Sequence, residues 1–237
     1  MRVIFVLVHG GGFSGSCWDE LCPLLAGQTR AVDLPGRGRN PANLATISVN
    51  DFVASVVAEI VDNDLTDVTL VGHSMAGLTL PGVAEAVPDR LRRLVFISCA
   101  VPPHGSSLAE VLADFSPTVK TVVEGVGDQV VDQRGTLHPD VATAMFCTDM
   151  DATQTASTLE RLVPEALSVL SEPADLTGLR KPIPRTYVRL TLDASISMDA
   201  QNRMIANLGS VDTVDLEAGH MAMISHPHEL ADVLNRL

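Results

Sequence analysis

Residues 68–77 read Val-Thr-Leu-Val-Gly-His-Ser-Met-Ala-Gly, with the serine at position 74. The β-branched start predicts a buried strand, and the small residues around Ser74 predict an abrupt turn into a helix. This order is typical of a nucleophile elbow, which presents a serine hydroxyl at the carboxyl end of a sheet. The usual Gly-x-Ser-x-Gly pattern has Ala76 in its last place here. A buried turn serine would fit the same residues, so the remaining chain must supply its chemical partners.

Strand-like and helical segments alternate on both sides of this stretch. Continuous apolar or β-branched runs predict strands at residues 3–8, 29–32, 68–71, 94–99, 184–190 and 211–216. Apolar residues at helical spacing predict helices at 17–25, 48–64 and 198–208, another from the elbow to about Pro88, and a last helix within 221–237. This alternation predicts an α/β fold, with a mostly parallel sheet flanked by helices.

The alternation stops after the fourth strand and resumes at the fifth. Between them, helical patterns cover residues 108–115, 139–146, 152–162 and 164–170, with a small hairpin at about 125–128. We therefore predict a single domain over residues 1–237, in which a core (1–104 and 181–237) carries a helical insertion (105–180), called the cap segment below. A cap above the carboxyl ends of the strands would cover the crevice in which such sheets bind ligands.

Composition excludes several classes of function. A length of 237 residues with 46% hydrophobic side chains fits one large domain. The net charge of −13 argues against nucleic acid and anionic membranes as partners. The four cysteines lack metal-binding spacing, which indicates reduced thiols and a cytoplasmic protein. The apolar start is too short for a signal peptide, and no run predicts a transmembrane helix.

A serine nucleophile needs a histidine base held by a carboxylate. Among the seven histidines, His220 follows the last strand directly, so it should emerge at the same sheet edge as Ser74. Since the acid precedes the histidine in folds with a nucleophile elbow, Asp193, which follows the fifth strand, is favoured. Asp199 is the alternative, although it is also well placed to cap a helix.

An oxyanion hole needs two backbone N–H groups that point at one position. Met75 follows the serine and begins its helix, and Gly11 lies in the glycine-rich loop after the first strand. The glycines of this loop match neither Gly-x-Gly-x-x-Gly nor a phosphate-binding loop, so nucleotide binding is not expected. No metal or cofactor is expected either.

Four motifs together resemble the α/β-hydrolase superfamily: residues 9–18 (His-Gly-Gly-Gly-Phe-Ser-Gly-Ser-Cys-Trp), 33–38 (Asp-Leu-Pro-Gly-Arg-Gly), 72–77, and 219–223 (Gly-His-Met-Ala-Met). More narrowly, they resemble the branch of plant methylesterases, such as the salicylic-acid-binding methylesterase, together with hydroxynitrile lyases and bacterial esterases. The resemblance covers nearly the whole chain and is weakest in the cap segment. It implies the triad Ser74, Asp193 and His220, with Gly11 and Met75 as oxyanion donors. The lyases of this branch carry threonine in place of Gly10 and lysine in place of Met221, so hydrolysis is favoured.

The sequence thus predicts a cytoplasmic serine esterase acting on a small, fairly apolar ester, with a homodimer as a possible assembly. The residues expected around the substrate are Gly12, Phe13, Phe115, Met145, Phe146 and Met221. Three alternatives remain open: a hydroxynitrile-lyase-type enzyme, a non-catalytic receptor for small molecules on the same fold, and an amidase, lactonase or epoxide hydrolase.

Overall fold

A six-stranded, fully parallel sheet forms the centre of the molecule, for which a computed structural model describes residues 3–112, 121 and 130–237. The strands are β1 (Ile4–Val8), β2 (Gln28–Val32), β3 (Val68–His73), β4 (Leu91–Ile97), β5 (Arg185–Leu190) and β6 (Asp212–Leu216). Their order across the sheet is β2-β1-β3-β4-β5-β6, and every neighbouring pair is parallel. This confirms the predicted fold class.

Helices cover both faces of the sheet. In the described ranges the α-helices are α1 (Val49–Asp62), α2 (Leu80–Ala86), α3 (Leu108–Leu112), α4 (Pro139–Phe146), α5 (Ala152–Glu160), α6 (Met198–Ala206), α7 (Ala222–Ser225) and α8 (Pro227–Asn235). The 3₁₀-helices span Gly15–Trp18, Cys22–Leu24, Ser74–Leu78, Pro88–Arg90, Leu167–Ser171 and Thr177–Arg180. None of these helices is long and apolar enough to cross a membrane.

Strand side chains alternate between two apolar clusters, one on each face of the sheet. Val6 and Leu70 pack with α1 and α2 on one face, whereas Leu7 and Val71 pack with α8 and the Gly15–Trp18 turn on the other. All four side chains are fully buried. The continuous apolar runs of the central strands follow from this burial on both faces.

The sheet reverses its direction of winding between β1 and β3. The chain runs from β1 outward to β2, and then returns to place β3 on the opposite side of β1. In open parallel sheets, the loops that leave the carboxyl ends at such a point diverge and leave a crevice between them. Here those loops are the glycine-rich residues 9–12 and the turn at Ser74.

Two predicted helices, at residues 17–25 and 164–170, were wrong. Residues 17–25 form two short 3₁₀-helices, the second containing Pro23. The last helix, α8, lies within 221–237 as predicted, and the short α7 precedes it. Residues 164–170 form no α-helix, because the backbone at Ala166 leaves the helical region with a ψ of 86°, and only a 3₁₀-helix follows at Leu167–Ser171. The possible hairpin at 125–128 and the end of the predicted helix at 108–115 lie outside the described residues. The domain boundaries at 104/105 and 180/181 stay a prediction.

Candidate active site

The turn at Ser74 has the backbone strain expected of a nucleophile elbow. Ser74 has a φ of 53°, in the left-handed region that L-residues seldom adopt, directly after β3. A Cβ at Gly72 would lie 3.0 Å from the Ala76 Cβ, so the absent side chain at Gly72 leaves room for the methyl group of Ala76. The tightest approach instead occurs at Gly77, where a Cβ would overlap the Ala100 carbonyl. Alanine at position 76 is therefore compatible with the elbow.

The structure brings Ser74, His220 and Asp193 into one hydrogen-bonded chain. His220 Nε2 lies 3.0 Å from Ser74 Oγ, and His220 Nδ1 lies 2.7 Å from Asp193 Oδ2. Because a carboxylate is an acceptor, Nδ1 carries the proton and donates it to Asp193. Nε2 is then left with a lone pair that faces the serine hydroxyl. This is the geometry of a nucleophile, a base and an orienting acid.

Asp193 is held by four donors at the end of β5. Its Oδ1 accepts the backbone N–H groups of Ser195 and Ile196 at 2.7 and 2.8 Å. Its Oδ2 accepts the Ser98 hydroxyl at 2.6 Å in addition to His220. The alternative acid, Asp199, is exposed in the first turn of α6. The contact with His220 therefore belongs to Asp193.

Two further histidines are buried against the site and carry no charge. His9 accepts the Leu34 N–H at Nε2, so Nδ1 holds the proton and donates to the Gly10 carbonyl at 2.8 Å. Burial lowers the pKa of His9 to about 4. His73 donates from Nε2 to the His220 carbonyl at 2.9 Å. Burial, together with the neighbouring His220 ring, holds the pKa of His73 well below its usual range.

The glycine-rich loop lies close to Ser74. A Cβ at Gly10 would lie 2.8 Å from the Ser74 Cβ, so the loop can approach this closely because position 10 has no side chain. Gly11 and Gly12 follow and line the same cavity as Ser74 and Met75. The predicted oxyanion donors, Gly11 and Met75, thus border one cavity with Ser74, and a Cβ at Gly11 would lie 3.5 Å from Met75 Sδ.

An apolar cavity of about 260 Å³ opens at Ser74. Its apolar side chains come from the elbow, from the segment after β4, from the cap segment and from the turn after β5: Met75, Ala100, Leu108, Val130, Val131, Leu137, Met145, Phe146, Leu167, Leu170 and Ile196. The volume falls just below the range of about 300–1,000 Å³ that is usual for small-molecule sites. The site is suited to a small, apolar ligand.

The predicted substrate contacts divide into three groups. Gly12, Met145 and Phe146 line the cavity. Phe13 and Met221 are fully buried one layer behind its wall; the Phe13 ring packs edge-on against Phe146, with ring centroids 5.2 Å apart. Both side chains belong to the apolar core, and Phe13 supports the wall through its contact with Phe146. The third group is Phe115 alone, which lies outside the described residues.

Phe146 also stacks on the ring of His220, with ring centroids 5.6 Å apart. Its side chain therefore borders both the cavity and the candidate base, and aromatic stacking of this kind helps to fix the orientation of a ring.

Two polar residues of the site carried no recognisable motif. Ser98 follows β4 with a φ of 39°, and Glu165 reaches the cavity from the cap segment. The position of Ser98 directly after a parallel strand could have suggested it, because such a residue emerges at the same sheet edge as Ser74. Nothing in the sequence indicated Glu165. Within residues 3–112, 121 and 130–237, no group of three or more His, Cys, Asp or Glu side chains is arranged to hold a metal.

Comparison with known proteins identifies relatives along the full chain. The family described as "Alpha/beta hydrolase family" matches residues 5–233. A carbendazim hydrolyzing esterase of Nocardioides is 28% identical over 244 residues, covering 98% of both chains. Methylesterase 9 of Arabidopsis thaliana is 27% identical over 250 residues, covering 98% of this chain and 97% of its own.

A solved structure supports the same assignment. An extracellular α/β-hydrolase from a Paenibacillus species, described as sharing structural and functional homology with tobacco salicylic acid binding protein 2, superposes with a TM-score of 0.85. It is 25% identical and covers 99% of this chain and 98% of its own. The plant methylesterase resemblance is thereby confirmed, and with the parallel sheet and the elbow at Ser74 in place, the chain belongs to the α/β hydrolase family.

Proposed function

We propose that this α/β hydrolase is a serine esterase that cleaves small, fairly apolar carboxylic esters. The observation that carries the proposal is the 3.0 Å contact of Ser74 Oγ with His220 Nε2 beside an apolar cavity. The esterases and methylesterases among the relatives support the same reaction class.

The reaction begins with attack of Ser74 Oγ on the ester carbonyl carbon. The hydroxyl proton passes to His220 Nε2, and the charge of the resulting imidazolium is stabilised by Asp193 at 2.7 Å from Nδ1. The carbonyl oxygen becomes negative and accepts the N–H groups of Gly11 and Met75. His220 then gives its proton to the alkoxide that leaves, so that an alcohol and an acyl-enzyme are formed.

Hydrolysis of the acyl-enzyme repeats these steps with water. His220 takes a proton from the water while the water oxygen attacks the acyl carbon. The second tetrahedral intermediate collapses, Ser74 regains its proton from His220, and the carboxylic acid leaves. No step requires a group beyond the residues named.

The neutral state of His73 supports this role for His220. The two rings have centroids 4.5 Å apart, and a charged His73 would oppose protonation of the base. Since burial holds the pKa of His73 well below its usual range, His220 gains its proton beside an uncharged ring.

A lyase reaction of the hydroxynitrile type is disfavoured by two positions. The backbone at Gly10 leaves no room for a side chain, because its Cβ would lie 2.8 Å from the Ser74 Cβ. Met221, in the position where the lyases carry lysine, is fully buried in the apolar core. Cyanide release from a cyanohydrin remains the measurement that would favour the lyase.

The test is hydrolysis of a panel of p-nitrophenyl and methyl esters, together with labelling by a fluorophosphonate. Wild type should turn over short esters and be labelled, and Ser74→Ala should do neither. Ser210→Ala, which alters an exposed turn serine, is the matched control and should behave as wild type. Tight binding of an ester without turnover or labelling would overturn the proposal in favour of a receptor. The cytoplasmic location and the oligomeric state stay predictions.

A further inference from the structure

A buried ion pair lies beside the glycine-rich loop and joins the core to the cap segment. Arg37, from the loop after β2, contacts Glu165 Oε1 through its Nη2. The Arg37 side chain has no exposed surface, and that of Glu165 is 10% exposed. The guanidinium lies 4.7 Å from the centre of the Phe52 ring and donates from Nη1 to the Pro35 carbonyl at 2.7 Å. Arg37 is therefore fixed in position.

The carboxylate of Glu165 accepts hydrogen bonds from two backbone N–H groups. Oε2 accepts the Gly12 N–H at 2.9 Å, and Oε1 accepts the Ala166 N–H at 2.7 Å. The cap also donates the Val163 N–H to the Gly12 carbonyl at 2.9 Å. Both polar groups of Gly12, whose φ is +74°, are thus bound by the same short part of the cap. A hydrogen bond to a charged acceptor is among the stronger ones available to an amide.

The position of this carboxylate creates an electrostatic problem. Gly12 is the neighbour of Gly11, so a negative charge on Glu165 lies about one peptide unit from an N–H that should stabilise a developing oxyanion. A Cβ at Gly11 would lie 3.2 Å from Glu165 Oε2, which shows how close the two are. Unpaired, the carboxylate would oppose negative charge on the substrate oxygen. Arg37 neutralises it without occupying the cavity.

We propose that Glu165 is a positioning residue that holds the oxyanion loop through Gly12, and that Arg37 is the countercharge that makes a carboxylate tolerable there. The inference rests on the proposed esterase function. The pair then has two separable effects. Glu165 provides an acceptor that positions the Gly12 N–H, and Arg37 cancels the negative charge that would otherwise lie beside the oxyanion.

Three variants on one background separate the two effects. Arg37→Met keeps an unbranched side chain at this buried position and leaves Glu165 without a countercharge. Arg37→Met/Glu165→Gln is neutral and keeps an acceptor oxygen for Gly12. Arg37→Met/Glu165→Met is neutral and has no acceptor. Comparing the two double variants measures positioning, and comparing Arg37→Met with the glutamine double variant measures charge.

The glutamine double variant should have the highest kcat of the three, with KM similar in all. Loss of the acceptor should lower kcat by roughly tenfold, and the unpaired carboxylate should lower it by about a hundredfold, since removing an oxyanion donor costs about 10²–10³. A buried carboxylate without a countercharge has a raised pKa. The Arg37→Met variant should therefore approach the glutamine double variant at acidic pH and fall behind it as the pH rises.

A second ion pair supplies the matched control. Arg161 of the cap binds Glu20 of the core at 2.5 and 2.8 Å, a paired contact between the same two parts of the molecule that does not involve Gly12. Arg161→Met and Arg161→Met/Glu20→Gln should keep kcat within about threefold of wild type, as expected for a partly exposed pair. Comparable losses from both pairs would mean that general docking of the cap matters, which would overturn the inference.

The Gly12 amide proton provides a readout that does not depend on turnover. Its NMR shift should move upfield in Glu165→Gln, because a neutral acceptor replaces a charged one. If wild type hydrolyses no ester, the proposed function fails, and this shift still decides whether Glu165 holds the loop. An unchanged Gly12 shift, equal kcat in the two double variants, or a pH-independent ratio between Arg37→Met and the glutamine double variant would each overturn the inference. If Arg37→Met does not fold, the two neutral double variants still test positioning.

Discussion

Replacing Asp193 by asparagine should abolish most activity because the structure dictates which way the new amide faces. The N–H groups of Ser195 and Ile196 both point at Oδ1, so the asparagine oxygen must occupy that position. The NH₂ group then replaces Oδ2 and faces His220 Nδ1. To accept this hydrogen bond, His220 must carry its proton on Nε2, where it can no longer take one from Ser74.

The expected loss in kcat is about 10⁴, or roughly 5.5 kcal/mol of transition-state stabilisation, as for other triads with the wrong tautomer. The fold should be retained, since the second amide hydrogen can be accepted by the Ser98 hydroxyl, which now lies 2.6 Å from Oδ2. Initial rates with a p-nitrophenyl ester, together with thermal melts, measure both quantities.

The matched control is Asp199→Asn, which changes an exposed carboxylate at the start of α6. It should leave kcat unchanged. If Asp193→Asn kept more than a tenth of the wild-type rate, the tautomer argument would be refuted. If Asp199→Asn caused the larger loss, the acid would have been assigned to the wrong residue.

Three further predictions concern stability and the loops around the site. Gly77→Ala should lower the free energy of unfolding by about 3 kcal/mol in urea titrations, because its methyl group would overlap the Ala100 carbonyl. Asp149→Ala should lower kcat more than it raises KM, since Asp149 Oδ2 accepts the Gly219 N–H at 2.6 Å and so holds the residue before His220. His9 has a folded pKa of about 4 against an ordinary value of 6.5, so its contribution to stability is complete above pH 6.5 and is lost as the pH falls to 4. Between pH 6.5 and 4, wild type should therefore lose about 3 kcal/mol more of its free energy of unfolding than His9→Gln, which has no group to protonate at this position. Urea titrations of both proteins across this pH range measure the difference.

The core of the site was predictable because parallel strands impose a rule on the residues that follow them. Ser74, Asp193 and His220 lie far apart in sequence, but each lies within four residues of the end of a strand, and the carboxyl ends of parallel strands share one edge of the sheet. Counting strands was therefore enough to bring them together. The same reasoning would have found Ser98, had a hydrogen bond to the acid been sought.

Outside the strands, this rule gives no information. The residues 164–170 have a helical pattern, yet the backbone leaves the helical region at Ala166, where the Glu165 carboxylate accepts both the Ala166 N–H and the distant Gly12 N–H. Ala76 looked like a departure from the elbow pattern because the sequence does not show that Gly72 leaves room for it. Both cases depend on distances between segments that are remote in the chain.

The cap segment contributes more than a wall to the cavity. Two of its carboxylates reach core loops on either side of Ser74: Glu165 binds the Gly12 N–H, and Asp149 binds the Gly219 N–H. In the proposed mechanism, each loop presents a group that must be placed to within a fraction of an ångström, the Gly11 N–H in one and the His220 ring in the other. Substitutions in the cap that change substrate preference must therefore keep Asp149 and Glu165 in position. The apolar residues of the cap that line the cavity are free to vary. Substitutions at Leu137 or Leu167 should alter which esters are accepted with less effect on kcat than any change to the two carboxylates.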